Sequence, residues 1–275
     1  MTAFFLQLHP AWQALLAGLF TWFCTVIGAA FVFFFKNIST KLLDSMMGFA
    51  AGVMIAASFW SLLSPALEYA ELQYDNIYWI PVAIGFLLGG VFFRFIDFMV
   101  PHLHLNETKD NAEGLKIKRK LSKSMLLFLA ITIHNIPEGL AIGVSFGAVA
   151  THVEASSLSI MAAISLAIGI GVQNIPEGSS LSLPIRAEGA SRMKAFTYGA
   201  LSAIVEPIAA VLGAFFVFST TAILPYALAF AAGAMIFVVV EELIPESQSN
   251  GNTDIATLSL MLGFVLMMIL DVSLG

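Results

Sequence analysis

Charged residues are scarce in this sequence. Only 11% of its 275 residues are Asp, Glu, Lys or Arg, whereas 59% are hydrophobic, and the mean hydropathy is +0.91. Soluble globular domains carry roughly a quarter charged residues. The shortage excludes a soluble globular protein and predicts an integral membrane protein whose surroundings are membrane lipid. A nucleic-acid partner is not predicted for this chain, whose net charge is −6.

Cysteine is almost absent, since Cys24 is the only one in the chain. A single cysteine excludes a disulfide bond within the chain and argues against a metal site built from thiolates. The N-terminus also lacks a basic segment and a cleavage site made of small residues. We therefore interpret its first apolar run as a permanent membrane span and not as a signal peptide.

The sequence does contain a series of apolar segments of roughly 20 residues, the length a helix needs to cross a bilayer. Because they recur along the whole chain, they predict an all-α fold, a polytopic transmembrane bundle of eight helices that forms one domain over residues 1–275. The predicted spans are about Trp12 to Phe35, Leu42 to Ser64, Ile77 to Val100, Ser124 to Phe146, Ser156 to Leu183, Lys194 to Phe218, Ala222 to Pro245 and Ile255 to Leu274. The long polar connection, about residues 101–123, follows the third span.

The positions of lysine and arginine predict the orientation of the bundle, because cytoplasmic loops retain basic residues. Basic residues occur in the first, third and fifth connections, and none occurs in the even-numbered connections. The loop at about 101–123 is therefore predicted to be cytoplasmic, and both termini are predicted to be extracytoplasmic. The expected location is the cytoplasmic (inner) membrane.

Two related hexads interrupt the apolar sequence of the fourth and fifth spans. They read His134-Asn135-Ile136-Pro137-Glu138-Gly139 and Gln173-Asn174-Ile175-Pro176-Glu177-Gly178. Placing a charged side chain at the centre of a membrane helix costs about 3 kcal/mol. A carboxylate that occurs twice in the same context therefore indicates a function more than it indicates packing.

Helical spacing puts the donor groups of each hexad on one face. His134 and Glu138 are four residues apart, as are Gln173 and Glu177, and residues at that spacing project from the same side of a helix. The proline in each hexad lacks an N–H and so frees a backbone carbonyl within the span. Because the two spans run in opposite directions, the repeated motif is typical of an inverted repeat with a binding site at its interface.

Side chains of several spans reach the same depth, at 1.5 Å of rise per residue. Met54, His134, Glu138 and Glu206 all fall near the midpoints of their predicted spans. Imidazole, carboxylate, amide and thioether groups suit zinc, or another divalent metal such as iron, manganese, cobalt, nickel or cadmium. Met54 is the weakest candidate, because a methionine in an apolar helix ordinarily serves packing.

The hexads, the eight-span layout and the variable third connection closely resemble the ZIP (Zrt/Irt-like) family of divalent metal transporters, and particularly its bacterial GufA-like branch. The resemblance implies alternating access, in which a rigid block carrying the metal moves against the rest, and a homodimer as the expected assembly. Many family members have a histidine where this chain has Gln173, and some have an aspartate where it has Asn174. A second metal site would therefore be less anionic here.

Carried over residue by residue, the resemblance implies two adjacent metal sites bridged by Glu138 and Glu177. The first site would consist of Met54, His134, Glu138, Gln173 and Glu177. The second would consist of Asn135, Glu138, Asn174, Glu177 and Glu206.

Another group of ligand-type residues falls near the predicted cytoplasmic ends of the third and seventh spans. Its members are Asp97, His102, His104, Glu241 and Glu242. Because they share one membrane face, they are candidates for an exit site that receives the metal as it leaves. Ordinary solvation at the interface is the alternative interpretation of each residue taken singly.

The sequence therefore predicts a transporter, and not an enzyme, that moves Zn²⁺ into the cytoplasm, with Cd²⁺, Fe²⁺ or Mn²⁺ as further ions. An intramembrane metalloenzyme and a non-transporting metal sensor are the alternatives. The sequence lacks the His-Glu-x-x-His motif of zinc proteases, and its His precedes Glu by four residues, unlike the Glu-x-x-His of di-metal bundles. A sensor is disfavoured because the eight spans leave no soluble domain that could signal.

Overall fold

The computed structural model describes residues 5, 7–35, 39–103, 114, 122–149, 159–187, 189–219 and 221–274. Eight helical segments in this part of the chain are long and apolar enough to cross a membrane. They are span 1, Pro10–Phe33; span 2, Thr40–Tyr74; span 3, Trp79–Met99; span 4, Ser124–Val149; span 5, Ile160–Ala187; span 6, Arg192–Val217; span 7, Leu224–Gln248; and span 8, Thr253–Leu274. The described residues contain no β-strand, so the predicted all-α bundle of eight spans is confirmed. The orientation of the termini stays a prediction.

Span 2 is longer than its apolar sequence predicts. The predicted end was Ser64, but the helix continues to Tyr74. Residues Ser58–Leu63 form a π-helical turn shortly before Pro65. Proline cannot donate the hydrogen bond to the carbonyl four residues back, and a wider turn accommodates its ring. Pro65 therefore alters the hydrogen bonding of the helix without ending it.

Span 6 consists of two helices, although the sequence predicts one. The helices Arg192–Ser202 and Val205–Ser219 are separated by a turn at residues 203–204. Pro207 lies in the first turn of the second helix, where a missing N–H is tolerated. Glu206 lies in the same turn. The break thus puts its carboxyl group at a helix N-terminus, where the helix dipole favours negative charge.

The eight spans pack as two groups of four. Spans 1, 4, 5 and 6 form the first group, in which span 4 packs along span 6 and span 1 along span 5. Spans 2, 3, 7 and 8 form the second group, in which span 2 packs along span 8 and span 3 along span 7. The groups meet mainly where span 5 contacts spans 2 and 8 and where span 4 contacts span 7. The two helices that carry the hexads therefore lie at the boundary between the groups.

A short repeat relates span 2 to span 7, which runs in the opposite direction. Residues 51–55 read Ala-Gly-Val-Met-Ile and residues 232–236 read Ala-Gly-Ala-Met-Ile. Each repeat is followed by a π-helical turn, at Ser58–Leu63 and at Val239–Leu243. The correspondence agrees with the predicted inverted repeat and extends it to the second helical group.

The glycine of each short repeat lies against the neighbouring helix of its own group. A Cβ atom at Gly52 would collide with the carbonyl oxygen of Leu260 in span 8, and one at Gly233 with that of Phe86 in span 3. Small residues let membrane helices approach closely and pack firmly. The second group is therefore held together by backbone contacts at two equivalent positions.

Candidate metal centre

The two hexads lie inside long helices that continue through their prolines. Pro137 is within the helix of span 4 and Pro176 within the helix of span 5. Because neither residue has an N–H, the carbonyl groups of Ile133 and Val172 lose their usual helical partner. Each span thus offers a backbone oxygen close to its acidic side chain.

Gln173 and Glu138 join the two hexads. The side-chain N–H of Gln173 donates to Oε1 of Glu138 at 2.8 Å, across 35 residues of sequence. Both side chains are buried. The contact brings the polar face of span 5 against that of span 4, so the two motifs form one cluster.

Asn174 connects the second hexad to spans 1 and 6. Its side-chain N–H group donates to both carboxyl oxygens of Glu206, each at 2.9 Å, and to the backbone carbonyl of Thr21 at 3.2 Å. Asn135, at the equivalent position of the first hexad, donates to the carbonyl of Ile131 in its own helix at 2.7 Å. The structure therefore brings Glu206 to the second hexad through the amide of Asn174.

We use the name midmembrane cluster for the polar residues of the two hexads together with Glu206. All its members are buried, namely His134, Asn135, Glu138, Gln173, Asn174, Glu177 and Glu206. Buried atoms without a hydrogen-bond partner are Nδ1 of His134 and one side-chain oxygen in each of Asn135, Glu138, Gln173, Asn174 and Glu177. Leaving such atoms unsatisfied is costly. Five oxygens and one imidazole nitrogen are a donor set that a divalent cation would satisfy.

The midmembrane cluster contains three carboxyl groups, of which Glu177 interacts electrostatically with the imidazole of His134. Glu138 interacts electrostatically with both Glu177 and Glu206. Over the described ranges, no lysine or arginine forms an ion pair with any of the three. Like charges in a low-dielectric interior repel one another strongly. A bound dication would replace that repulsion by attraction.

His134 links the midmembrane cluster to the second helical group. Its Nε2 lies 2.6 Å from Oε1 of Glu242 in span 7. Glu242 belongs to the π-helical turn Val239–Leu243, an irregularity that is frequent at functional sites. The sequence suggested Glu242 only for an exit site, but the structure puts its carboxyl group in contact with a midmembrane ligand candidate.

Glu242 also belongs to an inner cluster, which we define as Asp97, His102 and Glu242. These three residues are buried, and one ligand-type atom of each lies within 4.8 Å of the others. Nε2 of His102 is 2.9 Å from Oδ1 of Asp97, and Arg94 donates to Oδ2 of Asp97 at 3.0 Å. One imidazole and two carboxylates also suit a divalent metal.

His102 lies just beyond the end of span 3, where two contacts hold its ring. Nδ1 donates to the carbonyl of Val100 at 2.8 Å while Nε2 faces Asp97. Burial alone would lower the pKa of His102, but the hydrogen bonds to Asp97 and Val100, with the charges of Asp97 and Glu242, outweigh it. The pKa of His102 is therefore raised above its usual value. A proton thus competes with a metal ion at this ring.

The remaining predicted ligands are Glu241, His104 and Met54, and the two that the structure describes differ in burial. Glu241 is exposed, whereas its neighbour Glu242 is buried, so Glu241 is separated from the inner cluster. His104 lies outside the described residues. Met54 is buried in span 2, the helix that packs against span 5, and its thioether stays a predicted ligand.

A family model described as ZIP Zinc transporter matches residues 102–271. The chain belongs to the ZIP family. That match covers both hexads and spans 4 to 7, and it confirms the family that the hexads suggested.

Similar proteins in this family extend the match over nearly the whole chain. Zinc transporter ZIP11 of Homo sapiens is 40% identical over 344 aligned residues, covering 98% of this chain and 100% of that protein. Zinc transporter GufA of Myxococcus xanthus is 39% identical over 263 residues, covering 95% and 98%. Zinc transporter ZupT of Campylobacter jejuni is 31% identical over 282 residues, covering 92% and 94%. The ZIP family consists of transporters, so the chain is a multi-pass membrane protein of a transporter family and not an enzyme.

Sequence reasoning missed Glu246, which is buried in span 7 one helical turn beyond Glu242. Glu246 interacts electrostatically with His134 and with Glu177. The signal that identifies it is a third Ile-Pro-Glu tripeptide, at residues 244–246.

Proposed function

We propose that this protein carries Zn²⁺ across the cytoplasmic membrane into the cytoplasm, with Cd²⁺, Fe²⁺ and Mn²⁺ as further substrates. The observation that carries the proposal is the midmembrane cluster, in which three buried carboxyl groups and a set of unpartnered oxygens meet without a lysine or arginine partner among the residues that the structure describes. Family membership and the names of its relatives, which are zinc transporters, support zinc as the ion.

The metal site proposed here is binuclear. Its first half uses Met54, His134, Glu138, Gln173 and Glu177. Its second half uses Asn135, Glu138, Asn174, Glu177 and Glu206. Glu138 is suited to a bridging role because it interacts with the other two carboxyl groups of the cluster. Gln173 and Asn174 are neutral, so the second half holds its metal less tightly than a fully anionic site would.

Alternating access is proposed as a movement of the first helical group against the second. Spans 4, 5 and 6 of the first group carry every residue of the midmembrane cluster. The second group carries Met54 and the inner cluster. Because each group is closely packed internally, a relative displacement could carry the metal from one membrane face towards Asp97 and His102 at the other. The single domain would work with both termini outside, as one protomer of a homodimer.

Zinc uptake into proteoliposomes tests this function directly. Purified wild-type protein is compared with Glu177→Ala, and Glu241→Ala serves as the control because Glu241 is an exposed glutamate of the second group. We expect saturable uptake of radioactive zinc by the wild type and by the control, competition by cadmium and manganese, and loss of uptake in Glu177→Ala. Folded wild-type protein that binds zinc without transporting it would refute the proposal.

A further inference from the structure

Span 1 carries none of the proposed ligands, yet it contacts the break in span 6 that precedes Glu206. Its α-helix is continuous over Pro10–Ala29, and it packs along span 5 and along the second helix of span 6. Spans 1, 5 and 6 all belong to the first helical group. The contacts of span 1 would therefore stay with the midmembrane cluster when the two groups move.

Trp22 of span 1 caps the helix that ends before the break. The last carbonyl groups of a helix have no partner within it, and in lipid a carbonyl without a partner is costly. The indole N–H of Trp22 donates to the carbonyl of Ala200 at 2.8 Å, in the last turn of the helix Arg192–Ser202. The hydroxyl of Ser202 donates to the carbonyl of Gly199 at 2.9 Å. Trp22 therefore fixes the end of this helix from outside span 6.

Gly18 brings span 1 against the helix that begins after the break. A Cβ atom at Gly18 would lie 2.7 Å from Cα of Pro207 and 3.3 Å from Cβ of Ala210. Non-bonded carbon atoms prefer separations of about 3.5 to 4.0 Å, so a larger residue would have to displace backbone. Small residues allow this close approach between membrane helices. The first turn of the helix Val205–Ser219, which carries Glu206, thus rests on the backbone of span 1.

Thr21, one turn beyond Gly18, contacts both Asn174 and Glu206. Its carbonyl accepts a hydrogen bond from the amide nitrogen of Asn174 at 3.2 Å, and the same nitrogen donates to both carboxyl oxygens of Glu206 at 2.9 Å. The hydroxyl of Thr21 lies within hydrogen-bonding reach of the Glu206 carboxyl group, and it donates to the carbonyl of Gly18 at 3.1 Å. The side chains of all three polar residues are buried. Backbone and side chain of Thr21 thus meet the same pair of proposed ligands.

We propose that Thr21 and Trp22 are positioning residues for Glu206, which hold span 6 on the two sides of its break and so set the affinity of the second half of the metal site. This inference rests on the proposed function and on its binuclear site. A ligand in the first turn of a helix shifts whenever that turn shifts, and a metal site binds tightly only when its ligands are held in place. The break makes Glu206 dependent on span 1, because its own span does not continue through it.

The hydroxyl of Thr21 suits this role because it has one hydrogen and two acceptors within reach. A hydroxyl group rotates to suit its surroundings. It can donate to the carboxylate of Glu206, and it can return to the carbonyl of Gly18 when a cation takes that carboxylate. Neither state leaves a buried donor unsatisfied, which would be costly. Thr21 therefore steadies the ligand without competing with the metal.

Three variants of span 1 test the proposal. Thr21→Val removes the hydroxyl and keeps a branched side chain, whereas Thr21→Ser keeps the hydroxyl. Trp22→Phe removes the indole N–H and keeps an aromatic ring. Thr132→Val is the control for the first, because the Thr132 hydroxyl donates to a carbonyl of its own helix, and Trp12→Phe is the control for the last, because Trp12 is an exposed tryptophan of the same span.

Equilibrium binding of cadmium to purified full-length protein in lipid is the main measurement, and Glu206→Gln identifies the class of bound ion that depends on Glu206. We expect Thr21→Val to bind that class roughly tenfold more weakly and to leave the other class unchanged, as is typical for the loss of an outer partner of a ligand. Thr21→Ser should bind as the wild type does. Trp22→Phe should weaken the same class by roughly fivefold, the factor equivalent to one hydrogen bond of about 1 kcal/mol.

A purely structural role for Thr21 would give a different result. It would weaken both classes of cadmium ion together and lower the temperature of thermal unfolding, and that outcome would overturn the proposal. Binding by Thr21→Val equal to that of Thr132→Val would overturn it too, as would a Glu206→Gln variant that loses no class of ion. If Thr21→Val fails to fold, Trp22→Phe decides: selective weakening of the Glu206-dependent class supports the proposal, and binding equal to that of Trp12→Phe overturns it.

Zinc uptake into proteoliposomes distinguishes this inference from the proposed function. Each outcome that overturns the roles of Thr21 and Trp22 leaves zinc uptake by the wild type untouched. A wild type that binds cadmium but takes up no zinc would overturn the transport function. The selective loss of the Glu206-dependent class in Thr21→Val would then still establish Thr21 as a positioning residue of a metal site.

Discussion

The midmembrane cluster and the inner cluster use the same ligand types but differ in their neighbours. In the midmembrane cluster, Glu138, Glu177 and Glu206 have no lysine or arginine partner within the part of the chain that the structure describes. In the inner cluster, Asp97 accepts a hydrogen bond from Arg94 and faces His102. Carboxylates without a cation attract a dication strongly, whereas a carboxylate that already has one attracts it less. Under the proposed function, we therefore expect tight loading in mid-membrane and weak, transient holding near the inner face.

Removing a bridging carboxylate should have the largest effect, because it weakens both halves of the midmembrane cluster. We expect Glu138→Ala to lower the rate of zinc uptake roughly 100-fold and Glu206→Ala, which affects one half, roughly tenfold. Initial rates in proteoliposomes containing equal amounts of folded protein measure the difference. Equal losses in the two variants would contradict the bridging role of Glu138.

Removing the imidazole of the midmembrane cluster should change the choice of metal more than the rate. Imidazole favours zinc over manganese, which prefers oxygen ligands. We expect His134→Ala to lower the ratio of zinc uptake to manganese uptake roughly tenfold. Thr132→Ala serves as the control, since it removes a polar side chain of the same span that bonds only to its own helix and is no proposed ligand, and it leaves the imidazole. A zinc to manganese ratio that stays at the wild-type value would show that His134 is not a ligand.

Removing the positive charge of Arg94, which lies beside Asp97 of the inner cluster, should have the smallest effect. The side chain of Arg94 is 56% exposed, and an ion pair of that kind contributes only about 0.2 to 1 kcal/mol. Glutamine at this position removes the positive charge beside Asp97, so metal should leave the inner cluster more slowly. We expect Arg94→Gln to reduce the maximal uptake rate by about fivefold at most, the factor equivalent to 1 kcal/mol.

The control for Arg94→Gln is Arg94→Lys, which keeps the positive charge. Uptake by Arg94→Lys should stay close to the wild-type rate. If both variants lose the same activity, the geometry of the guanidinium group, and not its charge, is what Asp97 requires.

Hydropathy and the spacing within the hexads predicted most of the fold and the elements of the site. Eight apolar runs defined eight spans, since only a helix satisfies its own backbone in lipid. Two features of the helices escaped prediction. The break before Glu206 and the extension of span 2 beyond Ser64 both depend on local hydrogen bonding near a proline, to which hydropathy is insensitive. The buried Glu246 was overlooked because the segment 242–247 that contains it begins with Glu-Leu and not with His-Asn or Gln-Asn, although its Ile-Pro-Glu tripeptide is identical to that of the two hexads.

The sequence by itself determined the family and the number of spans and predicted the types of candidate ligand, because these follow from composition, from helical length and from side-chain chemistry at fixed spacing. The tertiary structure alone decided which residues meet. It paired Asn174 with Glu206 and brought Glu242 to His134. It also left Glu241 exposed while burying Glu242, and it divided the spans into two groups. Such contacts join residues far apart in the chain, and they depend on how helices pack and rotate against one another, which no local pattern specifies.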